Sequence, residues 1–331
     1  MLGLALMGLA LLLIVLLAGQ ALAATPSSRL RVSDLGTLGG CCSFAKGIND
    51  RGEVVGSSVV GEMTSHAFAW RRGTMTDLGT LGGSFSDADD VNDRGEVVGR
   101  SGTADGATHG FLWRRGAMTD LGTLDGGSQS AATAINERGE VVGWSDTAMG
   151  ELHAFLWRRG TMTDLGTAPG DSLSMAYGIN DLGQVVGEGS SGPFLWQRGV
   201  MTHLATLQGA EYGIAYDINN RGEIVGFAGF PSGRRINRAF LWRRGVATDL
   251  DSLGAGNSVA SAINERGQVV AWGELPDDAF GSFVWERGVT TRLGSLIGLG
   301  GEAVAINNHG QIAGSSPVPE DTMLTHAVIW R

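Results

Sequence analysis

Along residues 30–331, apolar and polar positions alternate in short runs, each closed by glycine, asparagine or aspartate. The runs are rich in Val, Ile, Phe, Trp and Thr, and none sustains a helical apolar period over ten or more residues. Such runs bounded by turn residues predict strands. They come in sets of four. The first is weakly apolar and ends in asparagine, as in Ala45-Lys46-Gly47-Ile48-Asn49. The second reads Glu96-Val97-Val98-Gly99, the third His153-Ala154-Phe155-Leu156-Trp157, and the fourth, at 118–124, Met-Thr-Asp-Leu-Gly-Thr-Leu. The asparagine phrase recurs seven times, with its Asn at 49, 92, 136, 180, 219, 264 and 307.

The intervals are 43, 44, 44, 39, 45 and 43 residues. A period near 44 argues for one array of four-stranded units, because a unit that short cannot bury a core of its own. Seven such units predict an all-β fold, a seven-bladed β-propeller. The ends sharpen the expectation. The seventh unit stops at its third strand, 327–331, whereas residues 30–38 (Leu-Arg-Val-Ser-Asp-Leu-Gly-Thr-Leu) read as a fourth strand with no unit before them. The N-terminal strand is therefore expected to complete the last blade and close the ring.

Within the asparagine phrase, Asn and Asp side chains can bond nearby backbone and glycine supplies a positive φ, so it reads as the hairpin joining strands one and two. The competing reading is a calcium loop of oxygen ligands, although Leu182 and Asn308 stand in its text where charge would be wanted. Arg-Arg-Gly (71–73, 158–160) reads as the hairpin between strands three and four, its solvated arginines discouraging edge pairing. Seven of the nine Trp share one repeat position (70, 113, 157, 196, 242, 285, 330). That predicts packing between blades, with a ligand platform as the alternative. His66, His109, His153 and His326 share the start of strand three. Whole sheets would separate them, so convergence on one metal ion is not expected.

His66-Ala67-Phe68-Ala69-Trp70 through Thr76-Asp77-Leu78-Gly79, together with the Ile-Asn-Asp-x-Gly phrase, resembles the bacterial extracellular HAF repeat family. The resemblance spans essentially 30–331. The His-Ala-Phe trio is complete at 66–68 and 153–155 and decays elsewhere, as in Gly192-Pro193-Phe194 and Arg238-Ala239-Phe240. It implies a secreted or surface-associated repeat protein and carries over no catalytic residues.

Residues 1–24 are a different text. They are apolar, uncharged and end in a small-x-small signal, Ala21-Leu22-Ala23. That reads as a secretory signal peptide, with an uncleaved membrane anchor as the competing reading. The domains expected are thus 1–24, the leader, and 25–331, the propeller, in a secreted, cell-surface or periplasmic protein. The net charge of −10 argues against a nucleic-acid partner, and the arginines are scattered two at a time along the repeat. Cys41 and Cys42 are adjacent and cannot staple distant segments; they are free thiols or a strained vicinal disulfide. No cofactor and no metal are expected, no membrane span remains after leader removal, and the chain is expected to be a monomer.

Function should lie where the repeats differ. The connections between strands two and three vary in length (57–65, 101–108, 145–152, 190–192, 228–237, 274–281, 315–325). In a propeller they emerge on the same face as the blade-to-blade links and form the expected binding surface. The other variable column lies three residues before the Asn: Lys46, Asp89, Thr133, Tyr177, Tyr216, Ser261 and Val304. It holds the sole lysine and two of the three tyrosines; the third, Tyr212, is on the same strand as Tyr216. Lys46, Asp89, Tyr177, Tyr212 and Tyr216 are the candidate ligand residues of a channel mouth suited to a small polar ligand, a glycan or a protein partner. The alternative for this column is filler around a narrow channel. Two function classes follow: a non-catalytic binding propeller, or a hydrolase or lyase drawing on Asp87, Asp89, Asp90 and Asp217 as acid and base.

Overall fold

The computed structural model describes residues 30–61, 64–231, 236–250, 257–274, 280–297 and 300–331; the expected leader, 1–24, lies outside them. Among the described residues no helix is long and apolar enough to cross a membrane.

Seven four-stranded antiparallel sheets form the blades of a β-propeller. Blades 1 to 6 span 43–77, 82–120, 130–164, 174–203, 212–249 and 258–292, each in simple meander order. Blade 7 takes three strands from 302–330 and its fourth from Val32–Asp34. The register pairs Val32 with Trp330 and Asp34 with Val328, and Arg31 exchanges two backbone hydrogen bonds with Arg331. The ring closure expected from the split repeat is what the chain does.

Strands are bounded by local chemistry. The fourth strand is shorter than its apolar text, ending at Asp77 or Asp120, because that Asp accepts the amide of the glycine two residues on and turns the chain (Gly79 N to Asp77 Oδ1 2.8 Å, Gly122 N to Asp120 Oδ1 2.7 Å). The variable two-to-three connections are also shorter than expected. In blade 7 the strands run to Val318 and restart at Asp321, so much of 315–325 is ladder rather than loop.

The core lies in the seams. Each of seven buried apolar clusters joins two neighbouring blades: Val55, Ala67 and Leu78 of blade 1 pack with Ala88, Val97 and Phe111 of blade 2, and Leu35, Ala313 and Ile329 meet Ala45, Val54 and Trp70 where the ring closes. The once-per-blade Trp takes part in these seams, as the repeat position predicted (Trp70, Trp113, Trp157, Trp196, Trp242, Trp285, Trp330). A buried serine clips most seams: Ser86 Oγ accepts the Ala67 amide at 2.8 Å and Ser43 Oγ that of Ala327 at 2.8 Å. At the seam of blades 4 and 5, Pro193 has no amide to donate, and Gly213 stands where the serine would be.

The asparagine phrase is a hairpin, and more than a hairpin. Asn136 Oδ1 accepts the amides of Arg138 and Glu140 at 3.0 Å each, and Gly139 follows with φ 76°. The other end of the same amide, Nδ2, donates to the Asn180 carbonyl of the next blade at 3.1 Å. All seven do this. The chain of bonds runs Asn49 to Asn92, Asn136, Asn180, Asn219, Asn264 and Asn307, and returns to the Asn49 carbonyl at 2.9 Å. A second closed ring lies beside it, in which each residue after the Asn donates its amide to the next blade's side chain: Asp50, Asp93, Glu137, Asp181, Asn220, Glu265 and Asn308.

Candidate functional site

The variable column before each Asn has a structural identity. In every blade the pairing of strands one and two skips one residue, and the skipped residue is Lys46, Asp89, Thr133, Tyr177, Tyr216, Ser261 or Val304. Each is a β-bulge, which leaves one residue unpaired and re-aims its side chain. All seven are half-buried. The flanking residues pair normally and are mostly Ala and Gly, so the first strand varies most at the bulge, where a side chain can also reach the next blade, as Thr133 Oγ1 does in donating to the Ala176 carbonyl at 2.8 Å.

The bulges divide into sectors. In blades 1 and 2, Lys46 Nζ donates to Asp87 Oδ2 at 2.5 Å and Asp89 Oδ1 at 2.9 Å, and Arg100 stands 3.7 Å from Asp87. Burial opposes the charge on Lys46, but the two carboxylates outweigh it and raise its pKa. Burial, helped by repulsion from Asp87, pushes Asp89 up to about 6 despite the lysine. Asp87 Oδ1 is buried and accepts no hydrogen bond among the described residues.

Blades 4 and 5 supply an aromatic sector. The Tyr177 and Tyr216 rings lie 5.6 Å apart, Tyr216 lies 6.1 Å from Phe227, and Phe227 6.2 Å from Tyr212. Tyr177 donates to Glu188 Oε1 at 2.8 Å. Burial first, then the Glu188 charge, raises the pKa of both Tyr177 and Tyr216. Tyr212 is not a bulge residue. It sits at the outer end of its strand, over Gly229, where a Cβ would fall 2.1 Å from the ring, and donates to Asn237 Oδ1 at 3.0 Å. The structure thus brings Lys46 together with Asp89 and Tyr177 with Tyr216, and sets Tyr212 at the end of the aromatic arc.

Sequence reasoning missed the facing column on strand two, just after Val-Val-Gly: Ser57, Arg100, Trp144, Glu188, Phe227, Trp272 and Ser315. These pair directly with Phe44, Asp87, Ala131, Met175, Ile214, Val259 and Glu302. The signal was available as a second place where the repeats disagree. Trp272, 6.5 Å from Phe280, joins Phe44 and Glu302 in lining a pocket of about 390 Å³ on blades 6, 7 and 1.

Asp90 and Asp217 are neither bulge nor ligand residues by geometry. Each follows a bulge, and each carboxylate bridges a seam, Asp90 accepting the Val91 amide at 2.8 Å and the Ile135 amide at 2.9 Å, Asp217 those of Ile218 at 2.7 Å and Ile263 at 2.8 Å. Burial dominates their titration and overrides those amides, raising Asp90 to about 7 and Asp217 to about 6. The charge of Asp217 also acts on Asp90.

The histidines form side-chain pairs. His66, His109, His153 and His326 hold Asp77, Asp120, Asp164 and Asp34 through Nδ1 at 2.8–2.9 Å. Arg238 replaces the histidine in blade 5 and pairs with Asp249 at 2.9 Å. Where strand three has Gly192 or Gly281 instead, strand four carries His203 or Arg292 in place of the Asp. The decayed His-Ala-Phe texts are therefore changes of a pair. Among the described residues no group of three or more His, Cys, Asp or Glu is arranged to hold a metal ion. Cys41 and Cys42 are free thiols, and the hydrogen bond with Cys42 raises the pKa of Cys41.

No protein-family model and no curated protein matches the chain. Solved structures do. The β-propeller domain of the Trilobed protease from Pyrococcus furiosus gives a TM-score of 0.58 at 8% identity, over 87% of this chain and 93% of that one. The extracellular domain of a candidate one-component system from B. thetaiotaomicron gives 0.54 at 11% identity, over 91% of this chain, which spans 40% of that one. At such identities the likeness is one of fold.

Proposed function

We propose that this chain is an exported, non-catalytic binding propeller whose channel mouth takes a small polar ligand or a sugar unit of an extracellular glycan or surface partner. The observation that carries the reading is the division of the bulge ring. One sector offers charge on the half-buried Lys46 and Asp89; the other offers the tilted aromatic rings of the half-buried Tyr177 and Tyr216, backed by buried Phe227. A sugar presents hydroxyl donors and an apolar ring face, which suit one sector each. The leader-like 1–24 text and the resemblance to HAF repeats support export.

The second reading, a hydrolase or lyase, draws on the raised Asp90 and Asp217. Each of these carboxylates accepts the amide of the next residue and one amide from across a seam, which favours a structural role. A glycan and metabolite binding screen of the purified protein, repeated with Tyr177→Ala and Tyr216→Ala, tests the proposal. Loss of a hit in both variants supports the mouth, and unchanged binding in both removes it. Turnover of a hit that disappears in Asp90→Asn would favour the enzyme.

A further inference from the structure

Arginines scattered along the repeat are gathered by the fold. Arg94 and Arg138 are 44 residues apart, as are Arg114 and Arg158, so each pair occupies equivalent places on neighbouring blades. With Arg159 they line one groove of about 1160 Å³ across the seam of blades 2 and 3, on the hairpin side and away from the bulge ring. Two carboxylates, Glu96 and Glu140, share it. Five positive against two negative groups make +3 within a chain of −10.

The charges are not all committed. In blades 1 and 5 the arginine ending strand three pairs with the glutamate opening strand two, Arg71 with Glu53 at 3.2 Å and Arg243 with Glu223 at 2.8 Å. In blade 5 Glu223 also takes the hairpin Arg221 at 2.9 Å, whereas in blades 2 and 3 the glutamates pair with the hairpin arginines alone, Arg94 with Glu96 at 2.5 Å and Arg138 with Glu140 at 2.7 Å. Among the described residues no carboxylate lies within 4 Å of the exposed Arg114 and Arg158, although the Arg114 charge still acts on Glu96. Half-buried Trp157 lies in the groove wall beside Arg158.

We infer that this groove binds the carboxylate-bearing units of an acidic polysaccharide, at a site separate from the channel mouth. A guanidinium fork matches a carboxylate in two parallel hydrogen bonds. Trp157 adds an aromatic face for the ring that carries it, which a bare acidic peptide would not use. The net charge of the chain opposes a nucleic acid, whose affinity rests on phosphates tracked over a longer basic footprint.

Calorimetric titration of the full chain with a short oligogalacturonate tests this, beside a neutral oligosaccharide, an oligoglutamate and a single-stranded oligonucleotide. Binding is expected for the oligogalacturonate, weakened by added salt. It should fall at least about tenfold in R114Q/R158Q, which removes two charge-assisted contacts, and stay unchanged in R198Q on blade 4. The exposed sites leave folding intact, checked by the same unfolding midpoint. No oligogalacturonate binding, unchanged affinity in R114Q/R158Q, or equal affinity for oligoglutamate or the oligonucleotide would overturn the inference. Failure here and failure at the mouth are separable, because R114Q/R158Q leaves Tyr177 and Tyr216 untouched: a loss confined to the arginine variant reports the groove, and one confined to the tyrosine variants reports the mouth.

Discussion

Two neighbouring points on the first strands, the asparagine hairpin and the bulge just before it, solve opposite problems. At the hairpin every blade presents the same asparagine, and seven amides close a ring of interblade bonds. Three residues earlier on the same strands, no two sectors of the bulge ring agree: a lysine held by two aspartates, a threonine, two tyrosines in tilted contact, a serine and a valine. The asparagine is fixed because its two ends serve two blades at once, so no other side chain of that size meets both demands. The bulge residue pairs with nothing in the ladder and is free to vary. Uniformity therefore marks the scaffold here, and variation marks the candidate binding surface.

That contrast can be broken in graded ways. Removing residues through Gly36 takes away the fourth strand of blade 7 and uncovers the ladder of Val328–Trp330. We expect the largest loss, several kcal/mol by the scale of core and ladder disruption, read as a large fall in thermal midpoint or as aggregation. Asn136→Ala removes the one oxygen that accepts two turn amides, and the bond to Asn180, at a site 4% exposed. It should cost about 2–4 kcal/mol in denaturant unfolding, against about 1 kcal/mol or less for Ser261→Ala at the bulge of blade 6. Equal costs would erase the distinction between the two points.

A pH effect comes next. Asp90 and Asp217, at about 7 and about 6, hold protons in the folded chain that the unfolded chain releases near 3.9. Their contribution is fully present below about pH 3.9 and is lost as pH rises through about 6 to 7. The protein should therefore be less stable at pH 8 than at pH 5, by about 1–3 kcal/mol. Asp90→Asn should flatten that slope, and a parent that gains stability over this window contradicts the account. The smallest effect is expected at the outer hairpins, where six arginines among the described residues adopt a left-handed backbone, Arg115 with φ 52°. Arg115→Asn, at a conformation asparagine tolerates better, should add about 0.5–1 kcal/mol without touching either end of the channel.

The fold was legible because its evidence is local and repeated: alternation gives strands, Asn-x-x-Gly and Arg-Gly give turns, and the split unit gives the closure. The site was half legible. The column of Lys46, Asp89, Tyr177 and Tyr216 could be read from disagreement between repeats, but its status as a bulge depends on the register between two strands, which no single strand states. The Trp144, Phe227 and Trp272 column was missed for the same reason. The asparagine read as a turn residue because its reach into the next blade joins residues 39–45 apart. The arginine groove was hidden because residues a full repeat apart become neighbours only across a seam.

The most direct test of the central claim is the affinity of a screen-identified ligand for a Tyr177→Ala/Tyr216→Ala double variant, measured beside Asn136→Ala at a temperature where both are folded. The account predicts binding weakened at least about tenfold in the tyrosine variant, the scale of losing aromatic contacts worth about 1.4 kcal/mol or more, and retained in Asn136→Ala. Unchanged affinity in the tyrosine variant would contradict it.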